Sequence, residues 1–167
     1  MSSDRAASDK IYLSILSSTS LWKLVREQGG AYGVGAYLDY IERIWSFYSY
    51  RDPRLDGTVS DFLSSALTAD ITEESLSDAV IGELSKGVKP LAPAVRSLVD
   101  IRRIVYRIDD DEREKMLGAI LALTIDDIEA AAERFSKSVA DNHIAVITSK
   151  DAVSASALGF SSRSLPS

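Results

Sequence analysis

The chain has 167 residues, of which 46% are hydrophobic, and it has no cysteine. This length suits one domain with its own core, and the missing thiols exclude disulfides, cysteine nucleophiles and cysteine-bound metals. The net charge of −6 argues against general nucleic-acid binding, which depends on clustered Lys and Arg. No apolar run approaches the roughly 20 residues of a membrane helix, so we expect neither a nucleic-acid nor a membrane partner.

Charge is unevenly distributed along the chain. Residues 1–54 carry seven Lys and Arg against six Asp and Glu, and by subtraction the rest carries twelve against nineteen. The front segment is therefore close to neutral, and it holds most of the aromatic side chains. This segment is the better place to look for a binding surface.

Apolar residues at helical spacing predict a first helix over residues 7–28. The pair Gly29-Gly30 should end it, because glycine adopts the left-handed conformation without a Cβ clash. The apolar residues lie four, seven and three positions apart, which places them on one helical face. They are Ile11, Ile15, Trp22 and Val25.

Two runs rich in aromatic and β-branched residues follow, at residues 31–40 and 43–51, with only a short link between them. We interpret them as an antiparallel hairpin. Gly33 and Gly35 leave one face of the first strand bare, and alternation places the larger side chains on its other face. Those side chains are Tyr32, Val34, Ala36, Leu38 and Tyr40. The second strand divides into Trp45 and Phe47 on one face and Ser46, Tyr48 and Tyr50 on the other.

Apolar spacings of three and four predict further helices after Pro53. Thr72 and Thr124 are the expected caps of two of them. The acidic run at residues 109–114 complements the macrodipole at the start of another, and we interpret it as capping and not as metal binding. The apolar positions of these helices are Val59, Phe62, Leu63, Ala66, Leu67, Leu76, Val80, Leu84, Met116, Leu117, Ile120, Leu121, Ile125, Ile128, Ala132, Phe135 and Val139.

A longer helix is predicted beyond Pro90, and its arginines most simply form a solvated face. Residues 144–147 are typical of a short buried strand. The tail from Val153 is rich in serine and buries too little apolar surface to guarantee order, so we place one domain at residues 1–152 and a tail at 153–167. The apolar positions of the longer helix are Leu91, Val95, Leu98, Ile101, Val105 and Ile108, and its arginines are Arg96, Arg102, Arg103 and Arg107.

The motifs of self-sufficient catalysis are missing. The stretch GGAYGVG follows a helix and precedes a strand, whereas a phosphate-binding loop lies between a strand and a helix start. No G-x-S-x-G nucleophile elbow occurs, and His143 beside Asp141 is equally typical of a strand entrance. With one histidine the chain cannot contain H-x-x-E-H, and we expect neither a metal site nor a cofactor in it.

The run LWKLVREQGGAYGVGAYLDYIERIWSFYSYRDP, at residues 21–53, resembles the carboxy-terminal half of the presequence proteases. They are a branch of the pitrilysin/insulinase family of inverted-motif zinc metallopeptidases. The likeness rests on Arg26-Glu27, on GGAYG and on FYSYRDP, in that order. Residues 112–135 are similar to the family's late helices, although this second likeness is generic. The turn at residues 40–44 lacks the expected glycine, and the first strands and helix of the family domain have no counterpart.

The resemblance implies a division of labour between two halves of a longer enzyme. Zinc and its histidines would belong to the amino-terminal half, and the carboxy-terminal half would close over the peptide. An arginine and a tyrosine of the family's R-x-x-G-G-A-Y segment reach the substrate, and they correspond to Arg26 and Tyr32. Such donors, aimed at a substrate carbonyl, would stabilise the oxyanion that forms when zinc-bound hydroxide attacks. The further substrate-binding candidates are Gly30, Ala31, Tyr48, Tyr50 and Arg51.

Each candidate also has a structural explanation. Arg26 could pair with an acidic neighbour near the helix end, and Tyr32 could be an ordinary strand aromatic. Tyr48, Tyr50 and Arg51 could belong to a buried core or to a salt bridge. The spacing of the residues alone favours these structural explanations, whereas the family motif favours a functional role.

We therefore expect an α+β domain of the LuxS/pitrilysin metallopeptidase type, with a small antiparallel or mixed sheet covered by helices and without the first elements of that domain. The expected function is the substrate-closing part of a zinc metalloendopeptidase that degrades short unfolded peptides, such as targeting peptides. This chain would be inactive alone. Its partners would be the unfolded peptide and a zinc-bearing amino-terminal half, in the same longer chain or in a separate subunit.

Two alternatives remain. The first is a non-catalytic structural or interaction subunit that keeps the peptidase fold. The second is self-association through a sheet edge left open by the missing elements. The resemblance implies a mitochondrion or other organelle in a eukaryote, and the cytoplasm in a bacterium.

Overall fold

The computed structural model describes residues 3–39, 42–65, 69–88, 90–139 and 141–161. The described residues form an α+β fold that is mostly helical with a small antiparallel sheet, as the sequence predicted. In chain order the elements are α1 (Ser3–Ser18), a π-helical segment (Trp22–Gln28), β1 (Gly33–Asp39), β2 (Ile44–Tyr50), α2 (Leu55–Ser64), α3 (Glu73–Val88), α4 (Pro93–Tyr106), α5 (Asp110–Leu121), α6 (Ile125–Ser138) and α7 (Lys150–Ala155).

Helix α1 is the centre of the fold. Its residues Ile11, Tyr12, Leu13, Ile15 and Leu16 are all 0% exposed. Consecutive helical residues point in different directions, so a helix buried at this many positions must be surrounded. Helix α1 contacts β1 on one side and α3, α5 and α6 elsewhere. The predicted single apolar face is therefore too narrow a description of this helix.

The predicted hairpin is confirmed. β1 and β2 pair antiparallel from Gly33 opposite Tyr50 to Asp39 opposite Ile44. The turn contains no glycine, and Arg43 supplies its left-handed residue with φ 60°. The inner-face side chains pack against the core as alternation predicts, whereas Tyr40 lies outside the described residues. They are Val34, Ala36, Leu38, Trp45 and Phe47.

The later helices begin at the caps that the sequence predicts. The Ser75 amide donates to Thr72 Oγ1 at 3.1 Å, and Thr124 and Asp127 form a reciprocal capping box at the start of α6. Asp109 caps α5 by accepting from the Glu112 amide at 2.8 Å, so the capping role of the acidic run is confirmed. The predicted positions Ala66 and Leu67 lie outside the described residues.

Three predictions about apolar segments are wrong or incomplete. No residue of α4 is buried. In α5, Leu117 and Leu121 are 40% and 66% exposed, because Ile120 faces the core and these two do not. Residues 144–147 form no strand, and Ile147 is 88% exposed. A strand needs a hydrogen-bonding neighbour, and within the described residues the sheet contains only β1 and β2.

Hydrogen bonds connect the start of the serine-rich tail to α2. Helix α7 crosses the predicted boundary at residue 153. After it, the Asp56 carboxylate accepts hydrogen bonds from the Ser156 hydroxyl and, at 2.7 Å, from the Ala157 amide. Both hydrogen bonds lower the pKa of Asp56. Residues 162–167 lie outside the described residues, and the domain boundary stays a prediction.

Candidate functional site

The helix end that carries Arg26 is shaped by two glycines. The π-helical segment ends at Gly29, and Gly30 follows with φ +81°, which only glycine adopts without strain. Gly29 is needed for space: a Cβ there would lie 2.2 Å from Arg54 Nη2 and 2.3 Å from the Val25 carbonyl oxygen. The predicted helix end at these glycines therefore has a physical cause in the structure.

Arg54 clamps this helix end to α2. Its Nη2 donates to the Leu24 carbonyl at 3.0 Å and to Asp61 Oδ2 at 2.7 Å. Its own amide donates to Asp52 Oδ1 at 2.9 Å. Sequence reasoning missed Arg54, since its partners lie 30 residues before it and 7 after it in the chain.

Arg26 stacks on its own helix. Its guanidinium carbon lies 4.0 Å from the centroid of the Trp22 ring, a cation–π geometry. Trp22 Nε1 in turn donates to Glu27 Oε1 at 3.2 Å. The ion pair offered as an alternative for Arg26 is not found among the described residues, and neither is a contact between Arg26 and Tyr32.

Three other predicted residues lie together on the outer face of the hairpin. The rings of Tyr32 and Tyr50 are edge to face with centroids 5.9 Å apart. The Arg51 guanidinium carbon lies 5.7 Å from the first centroid and 5.5 Å from the second. We call Tyr32, Tyr50 and Arg51 the tyrosine–arginine cluster. The tyrosines are 64% and 53% exposed, so a buried core does not explain them.

Alternation predicted that Tyr32 shares the inner face with Val34. This prediction is wrong, because the Tyr32 side chain points outward. Beside the Gly33–Tyr50 pair, the Tyr32 amide donates to both the Tyr50 and the Arg51 carbonyls, at 3.1 and 3.3 Å. Arg51 is left-handed with φ 48°. One residue that pairs with two consecutive residues of the neighbouring strand is characteristic of a β-bulge. A β-bulge changes the direction of a side chain at the end of a strand.

The remaining predicted residues lie around this cluster. Ala31 is 3% exposed, and its amide donates to the Val25 carbonyl at 3.1 Å, so its side chain supports the turn. Tyr48 covers the bare face at Gly35, where a Cβ would lie 2.7 Å from the phenol oxygen. Its ring centroid is 6.3 Å from that of Tyr37. Tyr37 is 53% exposed, and sequence reasoning did not single it out.

Among the described residues, no group of three or more His, Cys, Asp or Glu side chains is close enough together to hold a metal ion. No helix in the described parts of the chain is long and apolar enough to cross a membrane. The hairpin presents neutral aromatic rings, a guanidinium and phenol donors. These groups can contact both the polar and the apolar groups of a peptide.

Comparison with known proteins assigns the chain to a family. The profile described as the PreP C-terminal domain matches residues 5–150. The chain belongs to the presequence protease family. The predicted resemblance is thereby confirmed, and it extends beyond residues 21–53 to include most of α1 on one side and α6 on the other. The tyrosine–arginine cluster and Arg26 lie within the matched residues.

Three named presequence proteases are 30–32% identical to this chain over the aligned residues. The mitochondrial presequence protease of Drosophila melanogaster is 32% identical over 131 residues, which cover 75% of this chain and 12% of the relative. Presequence protease 1, chloroplastic/mitochondrial, of Arabidopsis thaliana is 32% identical over 138 residues, covering 78% and 12%. The mitochondrial presequence protease of Xenopus tropicalis is 30% identical over 132 residues, covering 77% and 12%.

The chain therefore spans about an eighth of the length of these presequence proteases. Their names describe proteases of mitochondria and, in the plant relative, of chloroplasts and mitochondria.

Proposed function

We propose that this chain is the substrate-closing part of a zinc metalloendopeptidase of the presequence protease family, and that it is inert alone. The observation that carries the proposal is the exposed tyrosine–arginine cluster, which lies inside the family match and includes Tyr32, the tyrosine of the R-x-x-G-G-A-Y segment. The peptide would be short and unfolded, such as a targeting peptide. Its partner would be a zinc-bearing amino-terminal half, in the same polypeptide or a separate subunit.

The roles within the site follow from chemistry. A peptide carbonyl needs hydrogen-bond donors, and the Tyr32 phenol and the Arg51 guanidinium are donors at neutral pH. Arg26 would join them after leaving the Trp22 ring, which costs about 0.5–1 kcal/mol at an exposed site. Gly30 and Ala31 hold the backbone that carries Tyr32, while Tyr48 and Tyr50 offer apolar contact area. The location would be an organelle in a eukaryote, or the cytoplasm in a bacterium.

Peptide binding by the isolated chain tests this proposal. Fluorescence anisotropy with a short, unstructured, fluorescein-labelled peptide should give saturable binding. Tyr32→Ala should weaken it about fivefold or more, since one aromatic contact contributes about 1 kcal/mol. Tyr37→Ala is the matched control, because Tyr37 is 53% exposed, against 64% for Tyr32, and lies outside the cluster on the same face. Equal losses in the two variants, or no binding, would refute the assignment.

The catalytic half of the proposal has a separate test. The chain alone should not cleave the peptide, and the reading frame that encodes it, or a co-purifying subunit, should contain an H-x-x-E-H helix. Arg26→Gln in that assembled enzyme should then lower kcat while zinc content stays unchanged. A complete 167-residue product that purifies without such a partner would overturn the peptidase assignment.

An interaction subunit is the second candidate, and one observation favours it. Helix α4 exposes apolar side chains along its length, with Leu98 63% and Ile101 56% exposed. Such a face suits contact with another protein. Stable assembly with a partner that is indifferent to Arg26 and Tyr32 would favour this candidate over the peptidase.

A further inference from the structure

The π-helical segment brings together three side chains that an α-helix would separate. Arg26 lies four positions and Glu27 five positions after Trp22. Along an α-helix, a residue five positions on lies roughly 140° around the axis from the first. The i→i+5 hydrogen bonds of a π-helix widen the turn, so this residue comes to lie beneath the first. Both Arg26 and Glu27 can therefore reach Trp22.

Arg26 and Glu27 contact different parts of the same indole. The Arg26 guanidinium carbon lies 4.0 Å from the ring centroid, over the face that attracts cations. The Trp22 Nε1 group is at the edge of the ring, and it donates to Glu27 Oε1 at 3.2 Å. This hydrogen bond restricts rotation of the indole, because the bond is lost when the ring turns away from the carboxylate. Glu27 therefore presents the ring to Arg26 in a fixed orientation.

The stacked position keeps the two donors of the R-x-x-G-G-A-Y segment on different partners. Arg26 lies over Trp22 on the helical segment, whereas Tyr32 lies against Arg51 in the tyrosine–arginine cluster. For both donors to serve one peptide carbonyl, the guanidinium must leave the indole. The structure therefore shows Arg26 in a position that precedes the role proposed for it.

The backbone around Arg26 is held, so its side chain is the part that can move. The Arg26 carbonyl accepts from the Gly30 amide at 3.0 Å, and the Val25 carbonyl accepts from the Ala31 amide at 3.1 Å. These hydrogen bonds fix the turn between the helical segment and the hairpin. Rotation about the side-chain torsions of Arg26 is therefore sufficient to release the guanidinium.

The stacked contact is weak enough for a peptide to replace it. Trp22 is 40% exposed, and a cation–π contact at an exposed ring is weaker than one shielded from water. A hydrogen bond from a charged donor to a carbonyl is stronger than this, and it is strengthened further where a bound peptide excludes water. The guanidinium therefore stays on the ring without a peptide and exchanges partners when a peptide binds.

We propose that Trp22 is a positioning residue that holds Arg26 in a resting position, with Glu27 fixing the indole, and that a carbonyl of the bound peptide replaces the ring as partner of the guanidinium. This inference rests on the proposed function and describes how the same site is regulated. The resting contact competes with the peptide. The apparent affinity is therefore the intrinsic affinity multiplied by the fraction of molecules in which Arg26 has left the ring.

Substitution of Trp22 tests the proposal through the sign of its effect. Trp22→Leu keeps an apolar side chain but removes the aromatic face, so the short fluorescein-labelled peptide should bind about threefold more tightly in the anisotropy assay. A merely structural role predicts the opposite, because a disturbed helix end would weaken binding. Trp22→Phe is the conservative variant, and its retained ring should keep the affinity within about 1.5-fold of that of the natural chain.

A double-mutant cycle shows whether Trp22 acts through Arg26. Arg26→Gln alone should weaken peptide binding about threefold, since it replaces a charged donor by a neutral one. In the Arg26→Gln background, Trp22→Leu should have no further effect, because no guanidinium then occupies the ring. An equal gain in both backgrounds would show that the indole itself obstructs the peptide, and would overturn the proposal.

The indole N–H signal of Trp22 reports the movement in the natural chain. The chain has two tryptophans, and Trp45, whose ring centroid lies 5.0 Å from that of Phe135, provides the internal reference. In nuclear magnetic resonance spectra of the nitrogen-labelled chain, a saturating unlabelled peptide without tryptophan should shift the Trp22 signal and leave that of Trp45 in place. The shift should be absent in Arg26→Gln. This measurement decides even if Trp22→Leu does not fold.

The contrary outcomes separate this inference from the proposed function. An unchanged Trp22 signal at saturating peptide, or weaker binding by a folded Trp22→Leu variant, would overturn the resting position of Arg26. The proposed function would stand in that case if Tyr32→Ala weakens binding and Tyr37→Ala does not. Absence of any peptide binding by the natural chain would overturn both.

Discussion

Helices α1 and α4 show how little apolar spacing says about burial. Both carry apolar residues at helical intervals and both form the helices that the pattern predicts. Yet α1 is buried at nine positions and α4 at none. The difference lies in their neighbours, since α1 is surrounded by β1, α3, α5 and α6. Periodicity thus predicts a helix and its apolar side, whereas the partner that covers that side is a property of the whole fold.

The largest expected effect contrasts a core residue with an exposed one. Ile15→Ala should lower the free energy of unfolding by about 3 kcal/mol, because the side chain is 0% exposed and its loss leaves a cavity. Leu98→Ala, at a position 63% exposed, should change it by less than about 0.5 kcal/mol. Urea denaturation measures both. Equal losses would mean that α4 is covered in solution.

A second contrast concerns ion pairs. Asp9 in α1 is 1% exposed and accepts from Arg134 of α6 at 2.6 and 3.1 Å. Among the ion pairs of the described residues, Arg134→Met would leave this buried carboxylate with Arg5 alone, 3.9 Å away, and should cost about 2 kcal/mol in urea denaturation. Arg96→Met in α4 removes an exposed contact of 4.0 Å with Asp100 and should cost under about 0.5 kcal/mol. A reversed order would contradict the contrast.

Helix caps give a smaller contrast. Thr124→Ala breaks the capping box of α6, which packs on α1, and should lower the unfolding free energy by about 1 kcal/mol. Ser149→Ala removes the equivalent cap of α7, which has no buried residue. It should reduce local protection of α7 amides in hydrogen exchange with little change in global stability. A global loss as large as that of Thr124→Ala would show that α7 is part of the cooperative core.

The smallest effect is a pH dependence at the junction of α1 and α3. Burial raises the pKa of Glu83, but hydrogen bonds from Lys10, at 2.8 Å, and from Lys86 outweigh it and hold the pKa below its usual value. A lowered carboxyl pKa stabilises the fold above the unfolded value of about 4.3 and ceases to do so as the pH falls through the folded value. Water screens the lysines, which are 44% and 70% exposed.

Thermal unfolding across pH measures this contribution. The natural chain should exceed Glu83→Gln in stability above about pH 5, and the gap should close below about pH 4. Glu114→Gln, at an exposed position of α5, is the control and should track the natural chain throughout. A gap independent of pH would show that the carboxylate charge does not stabilise the junction.

Much of the candidate site could be predicted from residues that are close in the chain. Gly29-Gly30 marks the helix end, and the alternation of Trp45 and Phe47 with Tyr48 and Tyr50 places the two tyrosines outward, as observed. These features depend on local backbone preference and on a period of two, which sequence carries directly. The placement of Tyr32 could not be predicted, because the bulge beside Arg51 arises from pairing between the strands.

The segment at residues 144–147 also shows that local composition does not decide which strands pair. Its β-branched residues are typical of a strand, and the composition alone justified the prediction. The structure leaves Ile144 and Ile147 40% and 88% exposed, with no strand beside them among the described residues. Strand propensity expresses how well a residue suits a paired surface, so it has no effect where no pairing partner is present.

By itself, the sequence determined the helix caps, the hairpin, the glycine turn and membership of the presequence protease family, because each depends on residues near one another in the chain. Tertiary structure alone decided that α1 is surrounded, that Arg54 clamps the helix end and that Ser17 of α1 accepts a hydrogen bond from the Ala36 amide of β1. Those features depend on elements that meet across long stretches of chain, and contacts of that kind leave no periodic signal in the residues that make them.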